Sequence, residues 1–317
     1  MTALEALSQF VKDLNLEDFS DKDVNHMKGD VLDSLGCGLI GSTTDWAKIM
    51  RKVVAKWGGE PSSLVWGTKE RFPSNKATLA NGTAVQALEF DNSHTPLGLH
   101  LGSSVLPAAF SVAERQGSSG EELLLAVTAG YEVSIRIRGA MDITHIRRGF
   151  NSTGTCSGFG AAAAVGKLLD LNPDQITNAM AIAGVNSVGI QAAQFSMSKR
   201  SMGARSAELG LESAFLAQEG YTGSPNVLEA DLGGFFNSFS DNYSVDKVCE
   251  GLGDGLKIEG MGIKPYPSSH GTHGALDAVK ELKEEHDIDP GEIERIKVSL
   301  PPHAAETKKG WGVTDVP

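Results

Sequence analysis

Between Leu88 and His100 the chain carries Glu89, Asp91, Ser93, His94, Thr95 and His100, and Pro96 and Gly98 interrupt the stretch. An apolar run follows from Leu106. Two imidazoles and two carboxylates on one loop form an acid–base set, because an imidazole exchanges its proton near neutral pH and a carboxylate can orient it. Loops beside rigid helices are where proteins place such groups. A cation to hold an anionic substrate is missing from the loop. Lys199 follows Ser196-Met-Ser at the start of a helix. A positive charge there works against the helix dipole, and a bound anion would account for it. Lys264 opens Lys264-Pro-Tyr-Pro, where Pro265 and Pro267 hold the backbone extended and pin the lysine. A rigid connector with an exposed lysine explains that segment equally well taken alone. His273, at the next helix start, reads first as a packing histidine.

Other motifs compete. Gly158-Phe-Gly-Ala-Ala-Ala163 mimics a dinucleotide fingerprint. That motif needs a preceding strand, whereas 147–155 is polar and irregular, so close helix packing is the better account. Ser196-Met-Ser-Lys199 with Ser240-Asp-Asn242 matches two penicillin-binding serine motifs, but the KTG strand is missing. His94, His100 and Asp91 could ligate a metal, yet no established zinc spacing supports it.

The elements that must position these groups are mostly helices. Leu4, Leu7, Val11 and Leu14 show the 3.6 period, and Val24, Met27, Val31 and Leu35 repeat it. Gly120 opens a helix carrying Leu124, Val127, Tyr131 and Ile135. Asn172-Pro starts another, with Ile182, Val185 and Ile190 on its apolar side. Thirty-seven glycines and the alanine-rich 158–166 segment point to helices in close backbone contact around a buried central helix. Only Ser63–Trp66 looks extended in this part. After Gly255 the texture changes. Leu256–Glu259 and Ile296–Leu300 read as strands and Thr272–Glu285 as a helix. The expected fold is mainly α: a helical domain over 1–255, and a smaller α+β domain over 256–317 whose core is incomplete.

The net charge of −12 argues against nucleic acid and anionic membrane as partners. Three scattered cysteines give no disulfide framework, zinc ribbon or cluster motif, and suggest a reducing cytosol. The N-terminus reads as an amphipathic helix, not a signal peptide.

Taken in order and spacing, several segments together resemble the MmgE/PrpD family, which includes 2-methylcitrate dehydratase, cis-aconitate decarboxylase and iminodisuccinate epimerase. They are Glu89-Phe-Asp-Asn, His100, Leu106-Pro-Ala, Gly130-Tyr-Glu-Val, Gly158-Phe-Gly-Ala-Ala-Ala-Ala, Ser198-Lys199, Ala214-Phe-Leu-Ala and Lys264-Pro-Tyr-Pro. The resemblance implies a cleft between a helical domain and a lid, a cytoplasmic homodimer, and no metal or other cofactor. It places the loop acid on Asp91 or Glu89, the loop histidine on His100 and the two lysines on Lys199 and Lys264. Two departures stand out. Asn151 occupies a place where the family often has histidine, and the rest of the lid has no counterpart. A split or truncated member, or a second chain completing the lid, is therefore expected.

The mechanism expected is proton transfer at a carbon α to a carboxylate in a small di- or tricarboxylate. Lys199 and Lys264 clamp the developing charge, His100 is the acid or base, and Asp91 orients it. Glu89, Ser93, His94, Asn151 and His273 line the site. Dehydration, decarboxylation and epimerisation of a dicarboxylate share this intermediate, and a non-catalytic or partner-dependent paralogue is the competing expectation.

Overall fold

The computed structural model describes residues 1–299. The chain forms two compact units, Met1–Lys264 and the segment from Pro265 onward. In the first unit the helices are α1 (Ala3–Asp13), α2 (Asp21–Gly41), α3 (Asp45–Val54), α4 (Ser74–Val85), α5 (Val105–Gln116) and α6 (Gly120–Gly139). They continue with α7 (Thr144–Arg147), α8 (Ser152–Leu168), α9 (Pro173–Val185), α10 (Met202–Gln218), α11 (Phe235–Phe239) and α12 (Asp246–Cys249). The architecture is mainly α, as expected. Two small antiparallel pairs complete it. β1 (Ser63–Leu64) meets β2 (Arg71–Phe72), and β3 (Ser93–His94) meets β4 (Met261–Gly262).

Local signals explain several helix starts. Ser119 and Glu122 form a reciprocal capping box at α6, Asn172 and Gln175 do so at α9, and Ser20 and Asp23 at α2. Packing explains the centre. Every residue of α8 from Ser152 to Gly166 is buried. A Cβ on Gly130 of α6 would lie 2.5 Å from the Gly160 carbonyl oxygen of α8. One on Gly210 of α10 would lie 2.5 Å from the Ala161 Cβ and 2.6 Å from the Ala162 nitrogen. The glycine-rich run is thus the middle of a buried helix whose neighbours touch its backbone, and not a phosphate loop.

Three local expectations need correction. Leu256–Glu259 is not a strand: Lys257–Gly260 forms a 3₁₀ turn, and the strand comes after it at Met261. The buried Glu132 side chain takes the Ile258 amide at 2.8 Å, which removes a donor that a sheet ladder would need. Consequently 256–264 packs with the first unit. Ile296–Ser299 has no regular structure, and Leu300 lies outside the described residues. The α9 helix stops at Val185, so Ile190, expected on its apolar side, is exposed.

The second unit, as described, holds a 3₁₀ turn (His270–Thr272), α13 (His273–Glu285) and a turn at Pro290–Glu292, with no strand among its described residues. Tyr266 ties the segment together, donating to Asp277 Oδ1 at 2.6 Å and packing edge-on against His273. Among the described residues no helix is long and apolar enough to cross a membrane.

Candidate active site

The loop after α4 is anchored from below by α2. The Asn92 amide donates to Asp33 Oδ2 at 2.9 Å, and the Asn92 side chain donates to the Asp30 carbonyl at 2.9 Å. This fixes Asp91, which is fully buried. Beyond it β3 leads into a 3₁₀ turn over Thr95–Leu97. Gly98, in the left-handed region, lets the chain double back so that the His94 amide reaches the Leu99 carbonyl at 2.9 Å. His100 follows, its amide held by Thr153 Oγ1 of α8 at 2.9 Å.

His100 Nδ1 and Asp91 Oδ2 are 3.0 Å apart. Burial works to raise the Asp91 carboxyl, but His100 and then Lys264 hold it below the usual carboxylate range. An ionised Asp91 can only accept, so Nδ1 carries the hydrogen and Nε2 is left to exchange a proton with a substrate.

The two lysines arrive on separate elements. Lys199 sits in a 3₁₀ turn, Met197–Ser201, that runs into α10. Lys264 follows β4, whose register sets Gly262 opposite Ser93 and so carries the lysine to the loop. Both side chains are buried, and both end on Glu89. Lys199 pairs with Glu89 Oε1, Arg200 reaches the same oxygen at 2.5 Å, and Lys264 donates to the Glu89 carbonyl at 2.7 Å. Glu89 has φ 56°, a left-handed conformation that costs a non-glycine residue about 1–3 kcal/mol unless its surroundings enforce it. Lys264 holds the backbone carbonyl of this residue, and Lys199 and Arg200 hold its side chain.

Burial, then Arg200 and Lys264, pull the Lys199 ammonium down to about 6. The Glu89 carboxylate in contact opposes this, and while Glu89 is ionised we regard the pair as charged. Burial likewise lowers Lys264, with Asp91 acting the other way.

Of the residues singled out from sequence, Glu89, Asp91, His100, Lys199 and Lys264 converge. Ser93 and His94 lie in β3, buried and paired with Gly262 and Met261, and burial lowers the His94 imidazole. Asn151 is the N-cap of α8, its Oδ1 accepting from the Gly154 amide at 3.1 Å. His273 is held within the second unit by Tyr266 and by the Ser268 carbonyl at 3.3 Å. Lys199 faces Glu89 while the Ser196 hydroxyl donates to the Ala193 carbonyl, so these two residues do not form a serine–lysine pair. Among the described residues no group of three His, Cys, Asp or Glu is placed to hold a metal ion.

Sequence reasoning passed over Arg200 as a site residue, although it adjoins Lys199. It also missed His145. Burial, then Arg138, pushes this imidazole down to about 4, and Phe239 O and Thr155 Oγ1 hold its two nitrogens at 3.1 Å each. It is a neutral core residue. A surface groove of about 1100 Å³ beside Phe10, Asp18 and Leu252 includes none of the converging residues.

Comparison with known proteins places this geometry in context. The MmgE/PrpD N-terminal domain model matches residues 5–247. A cis-aconitate decarboxylase-like protein of Aspergillus oryzae is 32% identical over 314 residues, covering 93% of this chain and 65% of that protein. The cis-aconitate decarboxylase of Aspergillus terreus is 30% identical over 292 residues (87% and 59%), and that of Homo sapiens 30% over 311 residues (94% and 64%). The chain therefore spans just under two thirds of the length of these relatives. Because that family model covers well over half of the chain, the chain belongs to the MmgE/PrpD family.

Proposed function

We propose that the chain carries the proton-transfer machinery of a lyase that decarboxylates a small unsaturated tricarboxylate of the cis-aconitate type. The observation that carries this reading is the Asp91–His100 pair beside two buried lysines and an arginine. In such a substrate the departing carboxylate sits on a carbon next to the double bond. Breaking that C–C bond releases CO₂ and leaves its electron pair in an allylic system, with charge spread onto a remaining carboxylate. Lys199, Arg200 and Lys264 are the groups to stabilise that charge. His100, protonated on both nitrogens against ionised Asp91, delivers one proton from Nε2 to the carbon α to that carboxylate. The double bond shifts and the product is a dicarboxylate.

Asn151 favours this reaction over dehydration. Its side-chain oxygen is committed to capping α8, and an amide moves no proton near neutral pH. Decarboxylation needs one proton delivered, whereas elimination of water needs one removed and one supplied. The names of the relatives support the same choice.

The test is proton NMR of cis-aconitate incubated with the chain, with 2-methylcitrate in parallel. Appearance of a terminal methylene signal is expected, and His100→Ala should slow it about 10²–10⁴-fold. Full turnover by His100→Ala would remove the acid from the scheme. Binding without turnover by the unaltered chain would favour a non-catalytic or partner-dependent member.

A further inference from the structure

The two lysines assigned to the substrate are already engaged by a carboxylate of the protein. Lys199 is 2% exposed, and Glu89, whose side chain is 13% exposed, lies against its ammonium. Arg200 shares the same Glu89 oxygen, and Lys264 holds the Glu89 carbonyl. A substrate carboxylate that binds Lys199 must therefore share or replace the contact that Glu89 makes. We propose that Glu89 is a resident counter-ion occupying the carboxylate subsite formed by Lys199 and Arg200, and that a substrate carboxylate binds there by displacing it. The inference rests on the polycarboxylate reading above and adds Arg200 as a specificity residue and Glu89 as the group that sets affinity.

The physical reasons are local. A buried lysine beside a half-buried arginine would be costly without an anion, and an internal carboxylate offsets that cost in the unliganded site. Glu89 can leave without unfolding the loop, because Lys199 and Arg200 hold only its side chain while Lys264 keeps its backbone carbonyl in place. An incoming carboxylate restores the charge balance at Lys199 and Arg200, and the freed Glu89 side chain can turn toward solvent. Affinity is then lowered by the free energy of removing the resident group, a tax on binding of the conformational-selection kind.

The test uses tricarballylate, a saturated tricarboxylate that has no double bond to receive the electron pair. Calorimetric titration of the whole chain should show Glu89→Gln binding it at least about tenfold tighter than the unaltered protein, and Arg200→Gln about tenfold weaker. Unchanged or weaker binding by Glu89→Gln, in a protein whose melting temperature shows it folded, would overturn the proposal. A crystal structure of the unaltered chain with tricarballylate tests it without substitution. Lys199 and Arg200 should hold a ligand carboxylate with Glu89 turned away, and Glu89 still holding both cations would overturn it. Failure of the two readings is separable. Tighter binding by Glu89→Gln without any turnover of cis-aconitate removes the decarboxylase reading and keeps the subsite, and turnover without tighter binding does the reverse.

Discussion

Asp30 lies beneath the loop that carries Glu89 and Asp91, where its backbone carbonyl anchors Asn92, and its own carboxyl is buried at 4% exposure. Burial pushes this group up to about 6 from 3.8; His26, 3.5 Å away, opposes the shift and Asp33 adds to it. A carboxyl that holds its proton more tightly folded than unfolded stabilises the fold fully below the unfolded value. That contribution is lost as pH rises through the folded one. The protein should therefore lose on the order of 2–3 kcal/mol from this group between about pH 4 and pH 7. Asp30→Asn should remove the decline and melt at a higher temperature than the unaltered protein at pH 8. Melting curves across that range check it, and a lower melting temperature for Asp30→Asn at pH 8 would reject the argument. At this scale the acid–base set was legible in the sequence, because residue type limits what a side chain can do. What Glu89 does was not legible: a carboxylate expected to line the site is the one that holds three cations.

Helix α8 shows what an element adds. The alanine and glycine run announced close packing, since glycine in a helix interior is unfavourable unless something approaches its backbone. The approach comes from α6 and α10, which are distant in sequence from the middle of α8. Gly210→Ala should destabilise the protein by about 1–3 kcal/mol or more, because its Cβ would press on α8 backbone. Gly29→Ala, in α2 with nothing within 4 Å of the added Cβ, should be neutral or stabilise by about 0.5–1 kcal/mol. Urea unfolding of the pair distinguishes packing from propensity, and equal effects would show that packing is not the reason. The strand expected over 256–259 failed for a related reason. Its alternation suited a ladder, but a side chain from α6 captured its amide.

For the whole first unit, the same α6 ties the last stretch of chain to the helical core. Arg136 and Glu132 are both fully buried and 3.1 Å apart. The Arg136 guanidinium donates to Glu250 O at 2.9 Å and to Gly251 O at 3.1 Å, while Glu132 takes the Ile258 amide. This pair thereby anchors the connection that leads through β4 to Lys264. Arg136→Met should cost about 3–5 kcal/mol by leaving a buried carboxylate uncompensated. Adding Glu132→Gln should recover part of that loss, as a double-mutant cycle by urea unfolding would show. A mild single effect, or no recovery, would mean that the anchor lies elsewhere.

By itself the sequence determined the helical character of the chain, several helix starts, the buried central helix and the chemical types available to a site. Those follow from local propensity, capping and periodicity, which act over a few residues. Only the tertiary structure decided that residues 89, 100, 199 and 264 meet. It also decided that Asn151 is a helix cap and that Arg200 shares an oxygen with Lys199. These outcomes depend on the β3–β4 register and on helices packed across long separations, where burial and charge pairing outweigh any preference encoded nearby.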